Sequence, residues 1–123
     1  MDADAIREAM SAFGPVRLRR MFGGQGIFSD GLMFALEADG VLYLKADDSD
    51  APAFREAGCE QFHYRKRDRD VAMGYWSAPL AALEDPEIMA QWAQRAHAFA
   101  LRQAARKARG KSGHDPDDMR ARR

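Results

Sequence analysis

Apolar and polar residues change their period along the first third of the chain. Over residues 4–13 the apolar side chains recur every three or four positions, as in an amphipathic helix, and Gly14-Pro15 follows as a stop. Between Arg17 and Asp47 they recur at every second position, which is the period of a strand. Two Asp-Gly steps, Asp30-Gly31 and Asp39-Gly40, interrupt this alternation and are typical of tight hairpin turns. The pattern predicts a short helix followed by a three-stranded antiparallel meander.

The alternation also predicts which side chains share a face of this sheet. Leu32, Phe34 and Leu36 are expected on one face of the middle strand, because they are two residues apart. Leu42 and Leu44 are expected together on one face of the next strand. One side of the sheet is therefore predicted to pack against helices.

The second half of the chain predicts another helix, two strands and a long helix. Residues 47–58 combine Asp and Ser caps with Pro52 and a final Gly, which indicates a short helix. Residues 59–66 and 71–79 have strand character, and Asp85-Pro86-Glu87 is typical of a helix start. The predicted fold is α+β, with two layers, a mostly antiparallel sheet and the order α-β-β-β-α-β-β-α.

The last predicted helix can run to Gly110. At about 1.5 Å per residue it would be about 36 Å long, which is more than a small sheet can cover. Its distal half is expected to project or to meet another chain, and a homodimer is the expected assembly. The apolar stripe expected to seal the sheet consists of Ile88, Trp92, Ala96, Phe99 and Gln103.

Charge is balanced overall but unevenly placed. The 123 residues hold 19 basic and 19 acidic side chains, which excludes a global field that would attract nucleic acid or a membrane. Residues 1–94 contain ten basic and sixteen acidic residues, whereas residues 95–123 contain nine and three. We predict one domain over residues 1–109 and a charged, disordered tail over residues 110–123.

Four arginines of the last helix are the candidate binding residues. Arg95, Arg102, Arg106 and Arg109 fall within about 60° of one another on one flank at 100° per residue. Such a row can pair with an acidic protein surface or follow a phosphate backbone. The competing interpretation is structural, since long basic side chains also cover the edge of an apolar stripe.

No residue pattern indicates catalysis, a cofactor or a metal. The cluster Gly23-Gly24-Gln25-Gly26 lacks the ending of a P-loop and leads into a strand, so it predicts a bulge or a close backbone approach. The three histidines, His63, His97 and His114, stand at no recognisable ligand spacing. Cys59, the single cysteine, is expected to be a half-buried filler.

The expected location is the cytoplasm. The first ten residues, MDADAIREAM, are acidic where a secretory signal would be basic and then apolar. No stretch approaches the ~18 apolar residues of a membrane span.

An ordered set of motifs resembles the N-terminal domain of the TfoX/Sxy family. The resemblance begins with MFGGQGIF at residues 21–28 and continues with Met33-Phe34 and LYLKAD at residues 42–47. It covers roughly residues 4–107. Its later part comprises Phe54, Gly58, Phe62, Tyr64, residues 75–79 and the helix from Trp92 to Ala100.

The resemblance implies a cytosolic bacterial α+β domain, similar to secretion chaperones, with no family enzyme activity or cofactor. Full-length relatives regulate DNA-uptake competence genes, as co-regulators with the cyclic-AMP receptor protein, and carry a second, helical domain. In its place this chain ends in a charged tail, so a stand-alone N-terminal domain is expected.

Three functions are left open. The leading hypothesis is a non-enzymatic regulatory module with a protein partner, such as a transcription factor. The second hypothesis is direct nucleic-acid binding through the basic helix. The third is a small enzyme with a site near Gly23–Gly26, which requires a concave cleft with convergent polar groups.

Overall fold

A computed structural model describes residues 1–21, 23–66 and 69–112. Its helices and strands alternate along the chain in the order of an α+β fold, which confirms the predicted class. The helices are α1 (Ala3–Ala9), α2 (Ala51–Glu56), α3 (Leu80–Glu84) and α4 (Pro86–Ser112), with a 3-10 turn at Asp48–Asp50 before α2. The strands are β1 (Arg17–Met21), β2 (Gly24–Ser29), β3 (Leu32–Ala38), β4 (Val41–Lys45), β5 (Gln61–Lys66) and β6 (Arg69–Ser77).

The six strands form one sheet in the order β1-β2-β3-β4-β6-β5, and each pair of neighbours is antiparallel. Both predicted Asp-Gly turns are present. Asp30 and Gly31 have φ values of 54° and 75°, and Asp39 and Gly40 have 53° and 80°. Positive φ at both central residues is what a type I′ turn requires, so these two steps fix the β2–β3 and β3–β4 hairpins.

The meander has four strands, and the prediction of three was wrong on this point. Gly23 adopts a φ of 73° in a turn that pairs Met21 with Gly24, so the first predicted strand is divided into β1 and β2. The short helix α3 is a further element that the period did not indicate. The other predicted elements appear in the predicted order.

A β-bulge at Phe34 corrects the predicted faces of β3. Ile27 pairs with Ala35 but Phe28 pairs with Met33, so Phe34 is an extra residue on β3. Phe34 therefore joins Ala35 in the core beneath the helices, whereas Leu36 lies in a second apolar cluster with Ala38, Phe62 and Tyr75. Leu42 and Leu44 do share the helix-covered face, as expected.

The buried stripe of α4 is rotated from the predicted one. Met89, Ala93, Ala96 and Ala100 lie in the core, whereas Ile88 and Trp92 are only partly buried at its edge. The alanines allow the helix backbone to approach the sheet, and Trp92 instead packs on α2, with its ring centroid 4.8 Å from that of Phe54. Of the other predicted stripe residues, Phe99 is buried and Gln103 is partly exposed.

Helix α4 begins as its sequence predicts. Pro86 occupies the first helical position, and the Asp85 carboxylate accepts a hydrogen bond of 2.9 Å from the Glu87 N–H. The helix continues two residues past Gly110, and from Leu101 to Arg109 none of its residues is buried. Residues 113–123 of the predicted tail lie outside the described residues.

Candidate interaction surface on the last helix

The first arginine of the predicted row is engaged within the domain. Arg95 Nη2 lies 2.7 Å from Asp50 Oδ1, and its guanidinium group lies 5.1 Å from the centre of the Trp92 ring. This ion pair connects α4 to the turn before α2. Arg95 therefore fits the structural interpretation, in which a long side chain covers the edge of the core.

The other three arginines follow the last buried residue of α4 and are here named the distal arginines: Arg102, Arg106 and Arg109. All three are exposed, and only Arg102 has a described aromatic contact, with its guanidinium group 5.7 Å from the Phe99 ring centre. No described carboxylate lies within ion-pair distance of them. The structure thus divides the predicted row into one engaged arginine and three that face solvent.

A shallow cleft of about 360 Å³ lies between α4 and the sheet, and Arg106 is the distal arginine that borders it. Burial raises the pKa of Tyr75, which borders it, to about 12, so its phenol remains neutral at physiological pH. The cleft also mixes charges of both signs, because Lys45 and Arg106 border it together with Asp47 and Asp48. Its full lining is Lys45, Ala46, Asp47, Asp48, Gly74, Tyr75, Phe99, Gln103 and Arg106.

The glycine cluster is explained by packing. A Cβ on Gly24 would overlap the carbonyl oxygen of Glu37 on the neighbouring strand. A Cβ on Gly26 would lie 2.8 Å from Met21 Sδ and 2.9 Å from Met33 Sδ. The prediction of a close backbone approach is confirmed at Gly24.

A second cleft beside this cluster contains polar groups that the sequence analysis missed. Arg20, Gln25 and Glu37 line a space of about 360 Å³ together with the backbone of Gly23 and Gly24. Glu37 is only 6% exposed, and it is the one charged residue in the run of β3. A lone acid inside an apolar strand is the signal from which this position could have been recognised.

Glu37 is held as a carboxylate by fixed partners. Gln25 Nε2 donates to Oε1 at 3.1 Å and the Gly40 N–H donates to Oε2 at 2.9 Å, while the Met1 ammonium lies 3.5 Å from Oε2. Burial opposes ionisation, but these hydrogen bonds and the ammonium outweigh it, so the pKa of Glu37 lies below its ordinary value. The group is an anchor for the β3–β4 turn, since its oxygens are already occupied.

Glu37 should make the stability of the folded protein depend on pH in the acid range. Its folded pKa is depressed, so its contribution is complete above the ordinary value of 4.5 and is lost as the pH falls through the folded pKa. We expect Glu37→Gln to be less stable than wild type at neutral pH, and the difference to shrink progressively below pH 4.5. Urea unfolding across pH checks this, with exposed Glu56→Gln as the control. A difference that is constant with pH would contradict it.

His97 and Cys59 lie in packed parts of the fold, whereas His63 faces solvent. His97 Nε2 lies 3.1 Å from the Ser29 carbonyl oxygen and 3.5 Å from Asp30 Oδ2, so the ring links α4 to the β2–β3 turn. His63 is exposed on β5, and Cys59 is half-buried with its pKa raised by burial. His114 lies outside the described residues.

Within residues 1–21, 23–66 and 69–112, no group of three or more His, Cys, Asp or Glu side chains is placed to hold a metal ion. None of the described helices has both the length and the apolar character that crossing a membrane requires.

Comparison with known proteins identifies a family that matches this chain and a relative of known name. The family model of the TfoX N-terminal domain matches residues 8–100. A 63-residue segment is 36% identical to DNA transformation protein TfoX1 of Aliivibrio fischeri (strain ATCC 700601 / ES114). That segment represents 51% of this chain and 30% of the relative, so the two proteins are similar over less than a third of the relative's length.

Proposed function

Since the chain belongs to the TfoX N-terminal domain family, we propose that it is a non-enzymatic regulatory module that binds a protein partner. The partner is proposed to be a component of gene regulation, such as a transcription factor, and the setting to be DNA uptake. The relative's name, DNA transformation protein, supports this setting. The binding surface is proposed to be the distal arginines.

The observation that carries this proposal is the position of these arginines. They follow the last buried residue of α4, Ala100, so they stand beyond the packed core. Residues 1–94 hold six more acidic than basic residues. A duplex lying along α4 would be repelled by that body, whereas a compact acidic patch on a protein can meet the helix alone.

Direct nucleic-acid binding is the second candidate function, because the same three arginines could contact phosphates. The two candidate functions differ in how strongly the binding affinity should depend on salt concentration. A nucleic-acid complex loses affinity linearly in the logarithm of salt concentration, with a slope set by the number of phosphates neutralised.

A charge-reversal pair tests the proposal. We expect Arg102→Glu with Arg106→Glu to abolish the effect of the protein on transcripts of DNA-uptake genes, because two of the three charges that meet the partner are inverted. Arg17→Glu with Arg20→Glu changes the net charge equally on β1 and should leave those transcripts unchanged. Transcripts are measured in a deletion strain complemented with each variant, after matched protein levels are verified.

A titration of the purified protein with duplex DNA completes the test. Under the proposal, neither wild type nor the double variant shows saturable binding. Saturable binding by wild type with a slope of about three to five phosphates, lost in the double variant, would favour the second candidate instead. The expected homodimer stays a prediction.

A further inference from the structure

A small pocket next to the mixed-charge cleft, with which it shares Lys45 and Gln103, is lined by two lysines and by no acid. It measures about 240 Å³. Lys45 at the end of β4 and Lys107 on α4 provide its charged groups, and Gln103 on α4 contributes an amide to its lining. The remaining lining is apolar and consists of Leu32, Met33, Ala100 and Ala104.

Lys45 is a partly buried ammonium without a counter-ion. Its Nζ lies 5.7 Å from the centre of the Tyr75 ring and 5.9 Å from that of Phe99, and ring faces attract a cation without supplying a negative charge. Asp47 and Asp48 border the neighbouring cleft, but no described carboxylate oxygen lies within 4.0 Å of this nitrogen.

The second lysine of the pocket further disfavours the charged form of Lys45 by electrostatic repulsion. The pKa of Lys45 is lowered first by burial and then by the positive charge of Lys107. Both effects disfavour the ammonium, and both would be relieved by an anion placed between the two lysines. The amide N–H groups of Gln103 can donate to the same anion.

We propose that this pocket, here named the Lys45 pocket, binds a carboxylate that carries a short apolar stem. The lysines bind the charged end, and the stem packs on Leu32, Met33, Ala100 and Ala104. A volume of about 240 Å³ is below the ~300–1,000 Å³ of typical small-molecule sites, so the occupant has the size of a side chain. It is either a free short-chain carboxylate or a glutamate of another protein. The pocket is a property of this chain and does not require the proposed function.

The lysine ammonium groups can be observed directly. The chain contains four lysines, so their ¹⁵Nζ–¹³Cε correlations are few enough to assign with single substitutions. We expect sodium propionate to shift the Lys45 and Lys107 signals saturably and to move the pKa of Lys45 upwards. A blocked peptide with one glutamate between two leucines is the second probe, and sodium chloride at equal ionic strength is the control for screening.

Three variants make the test specific. Lys45→Met keeps the stem and removes the charge, and Lys107→Gln removes the second charge from an exposed position. We expect propionate affinity to fall on the order of tenfold in each, which corresponds to losing a charge-assisted contact. Arg17→Gln removes an exposed charge on β1, outside the pocket, and should change affinity by less than about twofold, as expected for an exposed charge.

The outcomes separate the sources of the ligand. Saturation by both probes, or by either one alone, supports the proposal and identifies the free or the peptide-borne carboxylate. The proposal is overturned if the shifts of the lysine signals grow without saturation, if sodium chloride reproduces them, or if they persist in Lys45→Met. Lys45→Met is also expected to raise the melting temperature, because it removes a partly buried charge without a partner. If it does not fold, Lys107→Gln decides the question alone.

Discussion

Replacing Phe34 with alanine should lower the free energy of unfolding by about 3–5 kcal/mol. The side chain is fully buried, and its ring centroid lies 4.9 Å from that of Phe13 and 5.7 Å from that of His97. Truncation therefore leaves a cavity where β3 meets α4 and the turn that follows α1, and it also removes two ring contacts. Equilibrium urea unfolding at constant m value measures the loss.

The control for this prediction is Trp92→Ala. Trp92 is the larger residue, but it is only partly buried at the edge of the core, and its main ring contact is with Phe54. We expect a clearly smaller loss than for Phe34. A greater loss for Trp92 would show that the rotation of α4 described above is wrong.

The positions of Phe34 and Trp92 in the fold show what the sequence pattern could predict and what it could not. The period of the apolar residues and the turn and cap residues were sufficient to predict the α+β class, both Asp-Gly hairpins and the start of α4 at Pro86. They could not reveal the bulge, because one extra residue in a strand leaves the composition of the apolar run unchanged. Phe34 and Leu36 are two residues apart, which is the spacing of side chains on one face of a regular strand, but here they lie on opposite faces.

The rotation of α4 has a related cause. A count of large apolar side chains favours the arc that contains Ile88 and Trp92, since they contribute the most apolar area. The sheet instead receives the arc of Ala93, Ala96 and Ala100, because small side chains allow a helix to approach the sheet closely. Periodicity gave the helix but not which of two adjacent arcs is buried.

The candidate site was predictable only as far as it lies on one helix. The arginine row follows from helical geometry, but the pairing of Arg95 with Asp50 joins residues 45 positions apart, which no local pattern indicates. The Lys45 pocket likewise depends on the end of β4 meeting α4. Glu37 was recognisable in principle, because an isolated charge in a buried strand requires partners.

Gly24→Ala is expected to cost about 3 kcal/mol or more, at or above the upper end of typical overpacking effects. The added Cβ would overlap the Glu37 carbonyl oxygen, and it would lie 2.8 Å from the Glu37 carbonyl carbon and 3.0 Å from the Ala38 Cα. All three atoms belong to the backbone of β3, so no side-chain rotation can relieve the contact. The strands β2 and β3 would have to separate, which also disturbs the Glu37 anchor.

Gly31→Ala provides the matched control for Gly24→Ala. Gly31 has a φ of 75° and no atom within 4 Å of an added Cβ, so its substitution tests backbone strain alone. The left-handed conformation costs roughly 1–2 kcal/mol for a residue with a side chain. Urea unfolding should therefore rank Gly24→Ala as the more destabilised variant. The opposite order would mean that the glycine cluster serves turn geometry rather than close packing of two strands.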